Sequence, residues 1–157
     1  MYAISIFRGK IHGYVIFSQK TGQQTLVTVN LAGLQPNTIH GFHIHEYGNT
    51  IKGCDSMGPH YNPYNKTHGN VYLDGKNRHV GDLINNLYPD GEGKVQIEFY
   101  DDLVQVHKIL GRGLVIHETF DDLGPNGPYP TSGNAESLRT GNAKKRIACA
   151  VIALAKE

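Results

Sequence analysis

The chain has 157 residues, the size of one domain with a core of its own. Fifteen Lys and Arg against fourteen Asp and Glu leave a net charge of +1, which excludes a nucleic-acid binder that works through bulk charge. Charged residues make up 18% and hydrophobic ones 39%, so the composition is neither that of a disordered chain nor that of a membrane protein.

Strand signals follow one another at short intervals: residues 2–7, 14–18, 25–31, 41–47, 80–87, 94–100, 113–117 and 146–155. Two of them show period two cleanly. Val27, Val29 and Leu31 share one face, and so do Val95, Ile97 and Phe99, with Gln96, Glu98 and Tyr100 turned outward. Thr21-Gly22, Gln35-Pro36-Asn37 and Pro89-Asp90-Gly91 supply turns between them. The last run, 146–155, includes a nine-residue apolar stretch that could be a buried helix by periodicity. It is short for one, and about 20 apolar residues are needed to span a membrane, so the β context favours a strand. Nineteen glycines suit such a turn-rich chain. The expected class is all-β: eight antiparallel strands in a sandwich or barrel, within one domain spanning 1–157.

Two connections are too long for this rhythm. Residues 48–79 are rich in Gly, Pro and Asn and carry His60 and His68, while 119–145 are polar with several Gly and Pro. Structureless loops of such length are usually functional, and spaced histidines suggest one pinned by metal.

There are nine histidines. In GFHIHEYG, His43 and His45 lie two apart on a strand, so their rings leave one face about 6.6 Å apart and can converge on one ion. His60, His68, His79, Asp82 and His117 add further donors in or beside strand ends. Any one of these histidines alone reads as a solvated or hydrogen-bonded residue. Six of them with a carboxylate read as a metal centre.

Taken in order, GFHIHEYG, CDSMGPHYNP, THG, RHVGDL, GRGLVIHE, DDLG and TGNAKKRIACAVIALA closely resemble copper/zinc superoxide dismutases over essentially the whole chain. The resemblance implies a Greek-key barrel with two functional loops. It implies copper on His43, His45, His60 and His117, and zinc on His60, His68, His79 and Asp82, with His60 shared as a bridge. All-imidazole donors suit Cu(II), and three imidazoles with a carboxylate suit Zn(II). Asp121 would orient His43 and His68, although Asp121-Asp122 by itself reads as a solvated turn. His40 would make a structural hydrogen bond, and His12 and His107 would be exposed and inert.

The same resemblance implies superoxide as substrate, Arg146 as the cation beside copper, and Glu136, Arg139 and Thr140 as shapers of the approach field. Cys54 and Cys149 read by compartment as two free thiols, whereas the resemblance implies that they form a disulfide. No C-x-C or C-x-x-C pair is present to pass copper on, so the enzyme is favoured over a copper-carrying protein of the same fold. A plain adhesion sandwich is the remaining rival. A homodimer through Tyr47-Gly48, Gly111 and residues 151–154 is expected, with a copper chaperone as a second partner. Neither nucleic acid nor membrane is expected. The N-terminus shows no basic flank before an apolar stretch, so the expected address is the cytoplasm.

The chain also departs from the family pattern. The stretch from His68 to His79 and the loop through Pro128-Tyr129-Pro130 are both long, and Ala135 stands where an acidic residue is common. Lys144 and Lys145 precede Arg146 where small residues are common, which makes the approach more basic.

Overall fold

The computed structural model describes residues 1–157. Nine strands form: β1 (Tyr2–Phe7), β2 (His12–Ser18), β3 (Thr25–Ala32), β4 (His40–His45), β5 (Ile51–Cys54), β6 (Asp82–Leu87), β7 (Val95–Asp101), β8 (Gly113–His117) and β9 (Arg146–Ala155). Eight of them make a single antiparallel array in the order β6-β4-β8-β9-β1-β2-β3-β7, curled into a nearly closed barrel. The connections β3–β4 and β6–β7 cross between its two halves, which is the Greek-key feature. The small β5 stands outside the array. Two short helices, α1 (Val106–Ile109) and α2 (Ser137–Thr140), interrupt loops.

Alternation explains the interior. In β3 every second side chain, from Thr25 through Val27, Val29 and Leu31, is buried. Val27, Val29 and Leu31 meet Phe17, Phe42, Ile44, Leu114, Ile116 and Ile152 in one apolar core. The terminal run is a strand, and within it Ile152 enters the core while Val151 and Leu154 stay exposed. Ile97 was expected to face inward but is 36% exposed, because β7 ends the row and nothing pairs beyond it.

The fourth and fifth predicted strands are shorter than expected. Tyr47 lies outside β4, and β6 begins at Asp82 rather than at Val80. Gly81 is used for a different purpose. Its N–H donates to Tyr61 O at 2.9 Å, and its carbonyl accepts from Ile44 N at 3.0 Å. This stitches the long loop onto β4 and fixes where β6 starts.

Every residue of β4 is buried. Phe42 and Ile44 face the core, and His43 and His45 face outward beneath the two long loops. A register shift after Phe42 sets His43 opposite Asp82, and a second one after Ile116 sets His117 opposite Arg146. Bulges at such places re-aim side chains, and these two bring candidate residues together. Cys54 and Cys149 form a disulfide with Cα atoms 5.6 Å apart, tying the first long loop to β9. Closing 95 positions in this way contributes about 4–5 kcal/mol in the chain-entropy model.

Candidate metal centre

His43, His45, His60 and His117 form one group whose ligating atoms lie within 4.8 Å of one another. His60, His68, His79 and Asp82 form a second group on the same criterion, and His60 belongs to both. All seven side chains are buried. β4 supplies His43 and His45, the end of β8 supplies His117, and the first long loop with the start of β6 supplies the rest.

Hydrogen bonds assign one nitrogen of most rings to the protein and leave the other for a cation. His45 Nδ1–H donates to Gly58 O at 2.8 Å, and His117 Nδ1–H donates to Lys144 O at 3.1 Å. Their Nε2 atoms then face each other at 3.3 Å. His43 Nε2–H donates to Asp121 Oδ2 at 2.6 Å, which leaves His43 Nδ1 buried without a partner. Two lone pairs have no reason to meet, and a buried nitrogen no reason to go unpaired, unless a cation lies between them.

The second group is built in the same way. His68 Nε2–H donates to Asp121 Oδ1 at 3.0 Å. His68 Nδ1 lies 2.9 Å from Asp82 Oδ1 but without the alignment of a hydrogen bond. Asp82 Oδ2 accepts the N–H groups of Gly69 and His79, both at 3.0 Å. Its Oδ1 therefore faces the ring nitrogens of His60 at 2.9 Å and His79 at 3.2 Å. Three imidazoles and one carboxylate oxygen converge there, a donor set that fits tetrahedral zinc. With Nδ1 of His60 turned to this group, its Nε2 is left for the all-imidazole group, a donor set that fits copper.

The electrostatics agree with that fit. Burial, reinforced by neighbouring imidazoles, holds His43, His45 and His60 well below their ordinary pKa. Burial lowers His117 to about 4. At neutral pH these rings are uncharged and their lone pairs are available. Burial also acts to lower His68, but Asp82 and Asp121 outweigh it and raise this ring to about 10. Carboxylates that hold a proton on His68 will hold a divalent cation in the same place, with the proton released.

This arrangement predicts a pH dependence for the metal-free protein. Between pH 6.5 and about 4 the unfolded chain takes up protons that the folded imidazoles refuse. Stability is therefore lost as pH falls through that window, by about 1.4 kcal/mol per pH unit for each such ring. Urea unfolding of chelator-treated protein should show a midpoint that drops steadily on acidification. A level midpoint would contradict neutral buried imidazoles.

Asp121 and Asp122, read from sequence as a turn that would be solvated without the resemblance, are both fully buried. Asp121 joins the two groups through His43 and His68, as the resemblance implied. Asn86 holds it on both sides, accepting Asp121 N–H at 2.8 Å and donating to Asp121 O at 2.8 Å. Gly141, at φ +69°, packs so close that a Cβ there would collide with the Asp121 carboxyl group. Asp121→Asn should weaken retention of both metals by about 10–100-fold, the usual cost of losing a group that orients ligands. Competition with a chelator measures it, and unchanged affinities would count against the role.

Three residues were not singled out from sequence. Asp122 anchors the second long loop, accepting from Ser137 Oγ and Asn142 Nδ2 at 2.7 Å each. Arg78 is fully buried, donating to Asp82 O at 2.6 Å and Asp101 Oδ2 at 3.0 Å, and so pins the chain beside His79. Asn86 is the third. An Arg directly before a candidate ligand was the one available signal, but burial of a guanidinium cannot be read from spacing. His40 Nδ1 meets His117 O at 2.8 Å, a structural bond as expected, and His12 and His107 are exposed.

A cavity of about 420 Å³ opens onto His45, His60 and His117, with Glu136, Arg139, Thr140, Lys144 and Arg146 also on its walls. Arg146 Nη1 donates to Cys54 O at 2.9 Å, and Nη2 to Gly58 O at 2.6 Å. Gly58 O also accepts His45 Nδ1–H, so one carbonyl holds both His45 and Arg146.

A Greek-key barrel with an all-histidine set and a His₃Asp set joined by one ring defines a two-metal protein of the copper- and zinc-binding class. The family model for copper/zinc superoxide dismutase matches residues 11–152, and this chain belongs to that family of oxidoreductases. It is 44% identical to a Cu-Zn superoxide dismutase of Paramecium bursaria Chlorella virus 1, over 99% of this chain and 79% of the viral one. It is equally 44% identical to the Cu-Zn enzyme of Onchocerca volvulus, covering 97% of this chain and 95% of that one. Among solved structures, the clock protein EA4 superposes with a TM-score of 0.86 at 37% identity, covering 98% of this chain and 94% of the other.

Proposed function

We propose that residues 1–157 act as one domain in which His43, His45, His60 and His117 hold copper. In it, His60, His68, His79 and Asp82 hold zinc. The single observation carrying this assignment is the double membership of His60, whose Nδ1 meets Asp82 while its ring also belongs to the four-histidine group. Bound copper supplies the reversible one-electron exchange that turns two superoxide anions and two protons into dioxygen and hydrogen peroxide.

The chain's own residues do the rest. Arg146, with Arg139 and Lys144 on the same cavity wall, attracts the small anion and positions it. Glu136 is spoken for: it accepts Arg139 Nη2–H and Thr140 Oγ–H, both at 2.6 Å, which moderates its negative charge at the entrance. His60 Nε2 is the atom that holds and then yields a proton to the peroxide product. Asp121 and the carbonyls of Gly58 and Lys144 keep His43, His45 and His117 in the tautomers that leave lone pairs inward.

A homodimer belongs to the same reading. Tyr47, Ile51 and Val151 are 56%, 88% and 39% exposed, and Gly48 packs against Gly111 and Val151. Light scattering at the mass of two chains is the check. A copper chaperone is the proposed source of metal, and copper content of protein made with and without added copper checks it. No helix is long and apolar enough to cross a membrane. The cytoplasm is the proposed compartment, and cell fractionation decides it, because an extracellular superoxide dismutase of Brugia pahangi is 43% identical over 93% of this chain.

Metal analysis of purified protein, paired with superoxide decay before and after chelation, tests the whole reading. Equimolar copper and zinc, with activity lost on chelation and regained on adding both metals, is the expected result. Zinc without copper, or decay indifferent to chelation, would overturn it.

A further inference from the structure

Beside the channel lies a larger cavity of about 720 Å³, which no step of the dismutation uses. Its walls include Asn37, Ile39, Thr119, Phe120, Glu136 and Lys144, and the last two also line the channel. The volume is that of a small-molecule site. Its charges are unequal in availability. Both carboxylate oxygens of Glu136 are taken, by Arg139 and by Thr140. Lys144 makes no salt bridge.

The position of Lys144 is built. Its φ is +61°, a left-handed conformation that is costly for a residue with a Cβ. Its carbonyl accepts the His117 Nδ1–H, which fixes the backbone from which the ammonium extends. On the wall of the same cavity, the Phe120 ring packs on Tyr129 with centroids 4.7 Å apart while remaining 38% exposed. One unpaired cation, uncommitted hydroxyl and amide groups at Thr119 and Asn37, and an apolar floor of Phe120 and Ile39 together suit one chemical class.

We propose that this cavity binds a small organic anion, its carboxylate or phosphate head on Lys144 and its apolar body against Phe120 and Ile39. An anion seated there cancels one cation of the wall shared with the channel, so its occupancy also slows capture of superoxide. The second statement rests on the channel reading given above, whereas the binding itself does not.

The test is equilibrium dialysis of the metal-loaded protein with phenyl phosphate at fixed ionic strength. Phenyl phosphate should bind more tightly than inorganic phosphate, Lys144→Gln should weaken it by about tenfold, and Phe120→Ala by a few-fold. Saturating phenyl phosphate should slow superoxide decay in the wild type and leave the Lys144→Gln rate where it was without ligand. Equal affinities in wild type and Lys144→Gln would overturn the site. So would binding lost only in Arg146→Gln, which would put the anion on the channel arginine. Because dialysis does not register dismutation, its failure would leave the metal-centre reading standing.

Discussion

His60→Ala should remove copper and zinc together and abolish dismutation, with metal affinities falling by more than about 100-fold, beyond the range for groups that only orient ligands. The reason is geometric. His60 is the one side chain common to both groups, and its Nδ1 lies 2.9 Å from Asp82 Oδ1 and 3.4 Å from His79 Nδ1. Removing the ring therefore strips a ligand from each group at once. The chain path itself survives, because the backbone of residue 60 bridges His45 and Tyr61 N donates to Ile44 O at 2.8 Å. His117→Ala touches only the four-histidine group and should cost copper while sparing zinc. His79→Ala should do the reverse. Metal analysis of the three variants separates these outcomes, and independent losses in His60→Ala would argue against a shared ligand.

Arg146→Gln should lower the rate constant for superoxide by at least about tenfold and flatten its dependence on salt. In the wild type the rate should fall as ionic strength rises, since Arg139, Lys144 and Arg146 face the same opening. Arg146→Lys keeps a charge but cannot reproduce the two-pronged bond to Cys54 O and Gly58 O. It should keep part of the salt dependence and lose part of the rate. Stopped-flow decay across a salt series reads both quantities, and a wild-type rate flat from low to high salt would remove steering from the mechanism. Copper content, measured alongside, distinguishes lost attraction from a loosened His45, whose Nδ1 shares Gly58 O with the arginine.

The residues that meet at the centre come from distant parts of the chain, and this governs how much could be read in advance. The donor types, the H-x-H pair on a strand and the alternation of the barrel strands are local properties, carried by residue identity and spacing of two. They sufficed for the all-β class and, through the resemblance, pointed to seven side chains that the fold gathers into two groups, to Asp121 beside them and to Arg146 on the cavity wall. The disulfide was open between two readings, free thiols by compartment and a bond by resemblance, and the fold supplied the bond.

What sequence left dark was held mainly by backbone atoms and by burial. The carbonyls of Gly58, Cys54 and Lys144 select tautomers and aim Arg146, yet a carbonyl has no signature in the residue that bears it. Asp122 looks like any acid in a turn until Ser137 and Asn142 close over it. Arg78 looks like a surface arginine until Asp101 arrives from β7.

The sequence by itself determined the eight barrel strands, the metal-binding chemistry and the family, because these depend on which side chains are present and on their near neighbours. Tertiary structure alone decided which nitrogen of each ring points inward, where the strands break register, and that Lys144 stands between two cavities. Those properties depend on contacts between segments far apart in the chain, such as Arg146 with Cys54, and such contacts exist only once the barrel has brought the segments together.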